Sequence, residues 1–303
     1  MSYFYYPGCS LLSTGRSYHE SLMAVFNKLE TPLALIDDWN CCGATAYMAI
    51  SELKAFALCA RNFALAEQQA GQDSGPVDIV TPCAACYLGL NKAVHYLSDY
   101  SVIGEKVKAA LDAAELQYEK RVHIRHPLDV LRNQIGVEKI ASLVSKPLSG
   151  LRVACYYGCQ IVRPYADFDD QQDPTSMDAI MAALGADVVE WPLKARCCGA
   201  ALTGTVADVG QRLSHQLLKE ARQRKCDLIA TACPLCQFNL ECYQQQMNRR
   251  FHDNGKIAVA YFSQAMGVAM GLAQKALGIK RLFVPWPFLG SMQATEGGRH
   301  AQA

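Results

Sequence analysis

Neither a GxGxxG fingerprint nor a GxxxxGK[ST] loop occurs in the 303 residues, so the sequence carries no signal for a dinucleotide or a P-loop nucleotide. A CxxCxxCxxxC run is also missing, which leaves no place for ordinary ferredoxin clusters. Charge is sparse and balanced, with 19% charged residues and a net charge of +1. No broad electrostatic attraction to nucleic acid or to an anionic membrane is expected. Long apolar runs are lacking too. The longest, Ile257 to Ala273, is broken by Ser263, Gln264 and two glycines, and reads as a core strand and helix rather than a membrane span. The opening MSYFYYPGCS has no basic stretch leading into an apolar one. No secretory signal is read there, and a cytoplasmic location is expected.

Cysteine, in contrast, is abundant, with 14 in a chain that is not small. A reducing cytosol disfavours a disulfide framework, so these thiols read as metal ligands or redox groups. They fall into two sets. Cys9, Cys41-Cys42-Gly43 and Cys83-Ala-Ala-Cys86 form the first, and Cys159, Cys197-Cys198-Gly199 and Cys233-Pro-Leu-Cys236 the second. Matching cysteines are 150 (9 to 159), 156 (41 to 197) and 150 (83 to 233) residues apart, the mark of an internal duplication. The flanks repeat as well: Tyr6-Pro-Gly-Cys9 matches Tyr156-Tyr-Gly-Cys159, and Val122-His-Ile-Arg-His is aligned with Val259-Ala-Tyr-Phe-Ser. Residues 1–148 and 149–280 are therefore expected to form two cluster-binding domains, with 281–303 as a tail. The breakers between Ser145 and Gly150 mark the boundary.

Short apolar runs at Ile79-Val80, Leu151 to Tyr156, Ala186 to Trp191 and Leu228 to Ala230 read as buried strands. Helical patterns occupy Ser17 to Leu29, Ser51 to Gln69, Ser176 to Leu184 and Val206 to Lys225. This alternation predicts an α/β protein of two pseudo-symmetric, Rossmann-like domains, each with a parallel sheet. Ligands of such sheets gather beyond the carboxyl ends of the strands, and Cys9, Cys83, Cys159 and Cys233 each follow a candidate strand.

Thiolates suit zinc, copper(I) or iron–sulfur clusters. A structural zinc takes four ligands and leaves one cysteine of each five unexplained. Dithiol redox pairs leave Cys9 and Cys159 without a role. An iron–sulfur cluster in each half fits best, although a standard cubane also takes four thiolates. Gly43 and Gly199 would let backbone approach the cluster. Cys59, Cys155, Cys226 and Cys242 stand outside the repeat and read as buried hydrophobes.

The pattern C-x31-CCG-x39-CxxC followed by C-x37-CCG-x33-CxxC, with Asp38-Trp-Asn-Cys-Cys-Gly and Arg125-His-Pro-Leu-Asp-Val, resembles the cysteine-rich CCG-domain family. Within it the chain is similar to the B-type subunits of heterodisulfide reductases, from Tyr5 to about Gly278. The resemblance implies two non-cubane [4Fe–4S] clusters. Cys9, Cys41, Cys42, Cys83 and Cys86 would hold one, and Cys159, Cys197, Cys198, Cys233 and Cys236 the other. It implies a disulfide reduced between the two clusters, or a thiol or sulfane-sulfur carrier oxidised in reverse. A non-catalytic electron relay or scaffold is the other reading. No flavin or nicotinamide is expected here; a ferredoxin-type C-like subunit and a flavoprotein A-like subunit are the implied partners. The long x39 spacing reads as a loop insertion near Gly71 to Gly75.

His126, at the end of a strand, reads first as a satisfied structural histidine and second as a candidate proton donor, with Ser263 as its counterpart in the repeat. Lys194, Arg196, Arg16 and Arg163 could draw an anionic substrate or tune a cluster, with solvated loop residues as the equal alternative, and His19 and His215 read as packing or surface residues. The tail Phe283-Val-Pro-Trp-Pro-Phe-Leu suits docking or back-packing, and Gly290 to Ala303 reads as disordered.

Overall fold

Strands β1 (Tyr3–Tyr5), β2 (Leu33–Leu35), β3 (Val77–Val80) and β4 (Val122–Arg125) form one parallel sheet in the order β2-β1-β3-β4. Strands β5 (Arg152–Tyr156), β6 (Asp187–Val188), β7 (Leu228–Thr231) and β8 (Ala258–Tyr261) form a second in the equivalent order, β6-β5-β7-β8. The computed structural model describes residues 3–44 and 46–290. The disorder expected from Gly290 onward concerns, apart from Gly290, residues outside that range. Every strand pair is parallel, and helices cover the faces, as parallel pairing requires. The α/β architecture and its duplication are as the sequence predicts.

The helices lie close to their expected spans, at Arg16–Lys28, Glu52–Ala70, Ser176–Ala183 and Ala207–Gln223. The stretch from Ile257 supplies β8 and the helix Phe262–Ala269, whose residues are all buried. Ala186 to Trp191 yields only the two-residue β6, because it pairs with β5 alone at the sheet edge. Before β4 the first half also carries the helix Ser101–Asp112.

Strand order reverses between β1 and β3, and again between β5 and β7. These are the switch points where an open α/β sheet offers a crevice. Cys9 and Cys83 follow β1 and β3, and Cys159 and Cys233 follow β5 and β7.

The register corrects one sequence alignment. Ile79 pairs with Ile124 and its equivalent Ile229 with Val259. His126 therefore corresponds to Tyr261, not to Ser263. A slip of two residues preserves the strand alternation, so the sequence alone could not detect it.

The halves embrace. The helix Arg16–Lys28 of the first packs on Phe262–Ala269 of the second. The segment after β4, through Val137–Ser142, packs on the helix Ser176–Ala183. Tyr18 and Phe168, 150 residues apart (18 to 168), each cross to the other half. Tyr18 stacks on Tyr261 and Phe168 stacks on His126.

Candidate functional site: two thiol clusters meeting at one junction

In each half the cysteines are sorted by depth. Cys42, Cys83 and Cys86 are buried, while Cys9 and Cys41 are exposed. Cys198, Cys233 and Cys236 are buried, while Cys159 and Cys197 are half-buried. Repeated residues hold them. Tyr6 donates its hydroxyl to the carbonyl of Asn40 at 2.8 Å, and Tyr156 donates to Arg196 at 2.7 Å. Each bond ties the turn after the first strand to the residue before the paired cysteines. The N–H of Gly43 donates to Cys41 Sγ at 3.5 Å and that of Gly199 to Cys197 Sγ at 3.3 Å.

Gly43 and Gly199 thus bring backbone to the thiols, and a second pair of glycines lies against them as well. Gly8 and Gly158 have φ of +64° and +72°, and a Cβ there would stand 3.0 Å from Cys86 Sγ and 3.3 Å from Cys236 Sγ. A second cradle is thus made by the glycine before the first cysteine of each set. The repeated Gly-Cys dipeptide was its visible trace.

Within each set the thiols shift one another's acidity. Hydrogen bonds from Cys41 and Cys86 hold Cys42 well below the ordinary thiol range, helped by the N–H of Ala44. Cys198, 3.4 Å from Cys236 Sγ, is lowered chiefly by that partner. Asn239 Nδ2 also donates to Cys198 Sγ at 3.5 Å and to the carbonyl of Ala200 at 3.0 Å. Cys197 is lowered to about 6 by Cys159, the N–H of Gly199 and the nearby Arg163 guanidinium. A thiolate is the ligand and nucleophile form of cysteine.

The two sets touch. Cys83 and Cys233 meet across the halves, close enough for each to shift the other's acidity. Each precedes a helix, Ala84–Asp99 or Pro234–Cys242, whose N-terminal dipole favours negative charge. Cys233 accepts from two backbone N–H groups, those of Cys236 and Ala84, the second from the opposite half. Cys83 accepts from one, that of Cys86. Cys233 is held well below the ordinary thiol range, chiefly by Cys236 and Cys83, and Cys83 is pushed up chiefly by Cys233.

His126 lies at this junction. It is fully buried, and its Nδ1 accepts the N–H of Leu128 at 3.2 Å. Burial lowers its pKa to about 4, opposed by the carbonyls of Ala232 and Pro82 and by the Cys233 charge.

A family model for the cysteine-rich CCG domain matches residues 3–91 and again 153–241. The chain belongs to this family. The 8-methylmenaquinol:fumarate reductase membrane anchor subunit of Wolinella succinogenes is 30% identical over 288 residues, 94% of this chain and 98% of the relative. The B-type subunit of the ferredoxin/F(420)H(2)-dependent CoB-CoM heterodisulfide reductase of Methanosarcina acetivorans is 27% identical, with 91% of each chain covered. A protein of Archaeoglobus profundus, named for its likeness to the same heterodisulfide reductase component, is also 27% identical, over 92% of this chain and 94% of the relative. The chain is thus a CCG-family member similar to subunits of heterodisulfide reductases and of a menaquinol:fumarate reductase. A crystal structure of a hypothetical protein from Helicobacter pylori shares the fold, with a TM-score of 0.74 and 15% identity over 94% of this chain, which spans 52% of that one. Among the described residues no helix is long and apolar enough to cross a membrane.

Other singled-out residues have structural partners. Lys194 is buried, with Nζ 3.0 Å from both Asp173 and Asp178 and 3.1 Å from the carbonyl of Pro174. It is neither a solvated loop residue nor free to attract substrate. Arg16 pairs with Glu20 at 3.1 Å, and Arg196 serves through its carbonyl. Arg163 alone of the four acts on the thiols, helping to lower Cys197 and opposing the upward shift that Cys197 and burial impose on Cys159. His19 meets the Tyr5 hydroxyl at 3.0 Å, and His215 meets Asp253 at 2.9 Å.

Cys59 donates to the carbonyl of Cys42 at 3.3 Å, backing the site from behind. Cys155 is a fully buried strand residue and Cys226 is buried in the turn before β7, as expected, whereas Cys242, the last residue of Pro234–Cys242, is only half-buried. In the tail Phe283 is exposed while Trp286 and Leu289 are buried. The N–H groups of Phe283 and Val284 donate to Glu241 at 2.8 and 3.1 Å.

Proposed function

We propose that the chain is the iron–sulfur redox subunit of an oxidoreductase complex, with Cys9, Cys41, Cys42, Cys83 and Cys86 holding one [4Fe–4S] cluster and Cys159, Cys197, Cys198, Cys233 and Cys236 the other. The observation that carries this reading is the meeting of two equivalent thiol sets at Cys83 and Cys233. The glycine cradles at Cys86 and Cys236 support it, since they leave room at the sulfur atoms. Five thiols per set favour a non-cubane cluster over a four-ligand zinc or cubane. Such clusters supply one-electron transfer to bound sulfur.

The reaction is the reduction of a disulfide, RSSR + 2e⁻ + 2H⁺ giving two thiols, or its reverse on a thiol or sulfane-sulfur carrier. Two one-electron sites on either side of a junction match a two-electron bond cleavage. Relatives named as components of heterodisulfide reductases support this choice. Electrons come from separate proteins, a ferredoxin-type C-like and a flavoprotein A-like subunit.

A second reading rests on the relative named as the anchor subunit of a menaquinol:fumarate reductase: the chain relays electrons within a quinone-linked complex and cleaves no disulfide. Anaerobic purification with iron, sulfide and zinc quantified tests the shared core. About eight irons per chain follow from two four-iron clusters, and a colourless, zinc-loaded protein refutes both readings. Turnover of a small disulfide with an artificial donor then favours the first. Intact clusters that a quinol reduces but no disulfide reoxidises favour the second.

A further inference from the structure

Three buried polar atoms near the junction have no hydrogen-bond partner: His126 Nε2, Thr81 Oγ1 and Thr231 Oγ1. The two threonines occupy equivalent positions, each two residues before the junction cysteine of its half. All three residues are fully buried. An unpaired buried donor costs about 1–3 kcal/mol, so its retention calls for a ligand.

The histidine tautomer follows from its other nitrogen. Because Nδ1 accepts the N–H of Leu128, the neutral ring carries its proton on Nε2. Phe168 lies parallel to the ring, 3° from coplanar at 5.9 Å, and Tyr87 meets it edge-on at 5.7 Å. Tyr87 is in turn held by Asp167 at 3.1 Å. The carbonyls of Pro82 and Ala232 face the ring, one from each half, without an aligned bond to Nε2. The ring is therefore fixed in orientation and aims a spare N–H toward the segments that carry Cys83 and Cys233.

We propose that the Nε2–H of His126 is the hydrogen-bond donor to a thiol or thiolate sulfur bound at the Cys83–Cys233 junction. This rests on the sulfur-redox reading above and names the residue that positions the ligand. The donor exists once, because the pseudo-symmetric position is Tyr261, whose hydroxyl is turned to Gln237 at 3.5 Å. Two sulfurs released from one bond would thus meet unlike surroundings, and a single orientation of an unsymmetrical disulfide is favoured.

The test uses the full chain loaded with iron and 2-mercaptoethanol as probe. Affinity is read from the change in visible absorbance and electron paramagnetic resonance, and iron and sulfide are measured on every variant. H126M and H126Q have side chains of similar length, and only glutamine offers an N–H. We expect full iron in both, affinity within about threefold of wild type in H126Q, and about tenfold weaker affinity in H126M, the loss of one buried charge-assisted hydrogen bond. H126L replaces H126M if the latter loses iron. Equal affinity of wild type and the donor-less variant overturns the proposal, as does equal weakening in H126Q and H126M. Iron loss confined to every donor-less variant assigns the donor to cofactor assembly and also overturns it. Iron-free wild type instead removes the redox reading itself, whereas iron-replete wild type that ignores the thiol removes only its sulfur half.

Discussion

Tyr18 lies flat on Tyr261, with ring centroids 4.2 Å apart and planes 6° from parallel. The first ring belongs to the first half and the second ends the last strand of the other, and both are fully buried. The Tyr18 hydroxyl donates to the carbonyl of Ala232 at 3.3 Å, next to Cys233. Packing between the halves and placement of the second thiol set therefore depend on one side chain. Y18A is expected to cost about 3–5 kcal/mol in denaturant unfolding, the usual penalty for emptying a buried aromatic site. Y18F, which keeps the stack and loses one hydrogen bond, is expected to cost about 1 kcal/mol.

The paired-cysteine turns differ in tolerance although their sequences match. A Cβ on Gly199, at φ +100°, would stand 2.8 Å from backbone atoms of Gly210, whereas one on Gly43, at φ +72°, would meet only side-chain carbons at 3.1 and 3.3 Å before any backbone atom. Backbone cannot yield as a side chain can. Both alanine variants are strained by positive φ, but G199A is expected to be the more destabilised by about 2 kcal/mol or more. Comparing the two unfolding midpoints checks this.

Cysteine substitutions should separate ligands from bystanders. C42A is expected to lose about half the iron, since one of two four-iron sites fails. C59A, which removes only a thiol behind the Cys42 carbonyl, is expected to keep nearly all of it. Iron per chain, measured anaerobically on both, decides the assignment.

Glu241 makes stability depend on pH. Burial pushes its carboxyl up to about 7, although the N–H groups of Val284 and Phe283 and the Gln237 amide oppose the shift. The folded protein then binds a proton that the unfolded chain, near 4.3, has already released. That contribution is complete below about pH 4 and disappears as pH rises through 7, removing roughly 3 kcal/mol. Wild type should therefore lose stability relative to E241Q between pH 5.5 and 8. Parallel denaturant titrations at several pH values would show the converging or diverging curves, and a constant difference would refute the shift.

Lys194 provides a control on the electrostatics. K194M leaves Asp178 without its buried partner and is expected to cost about 3–5 kcal/mol. The affinity of iron-loaded protein for 2-mercaptoethanol should not change, because the ammonium is committed to Asp173, Asp178 and Pro174.

The duplication, the parallel sheets and the grouping of cysteines were legible because each leaves a local trace: repeated spacing, apolar runs ending in Pro or Gly, and adjacent Cys-Cys-Gly. The junction was not. Cys83 and Cys233 meet only through the docking of two sheets, and nothing in either Cys-x-x-Cys segment specifies its distance from the other. Lys194 looked like a free loop cation because its partners, Asp173 and Asp178, lie up to 21 residues earlier (173 to 194). The counterpart of His126 was misassigned because strand alternation is blind to a slip of two, and only the ladder Ile79–Ile124 fixes it.

The mutual embrace also orders events at the ribosome. Tyr18 is synthesised early, yet the carbonyl that receives its hydroxyl lies 214 residues downstream, and the ring that covers it comes later still. The first half must emerge with an uncovered greasy helix and wait for most of translation before it can be sealed. Truncated messages, or either half expressed alone, should yield sticky, chaperone-bound products rather than a working single-site protein.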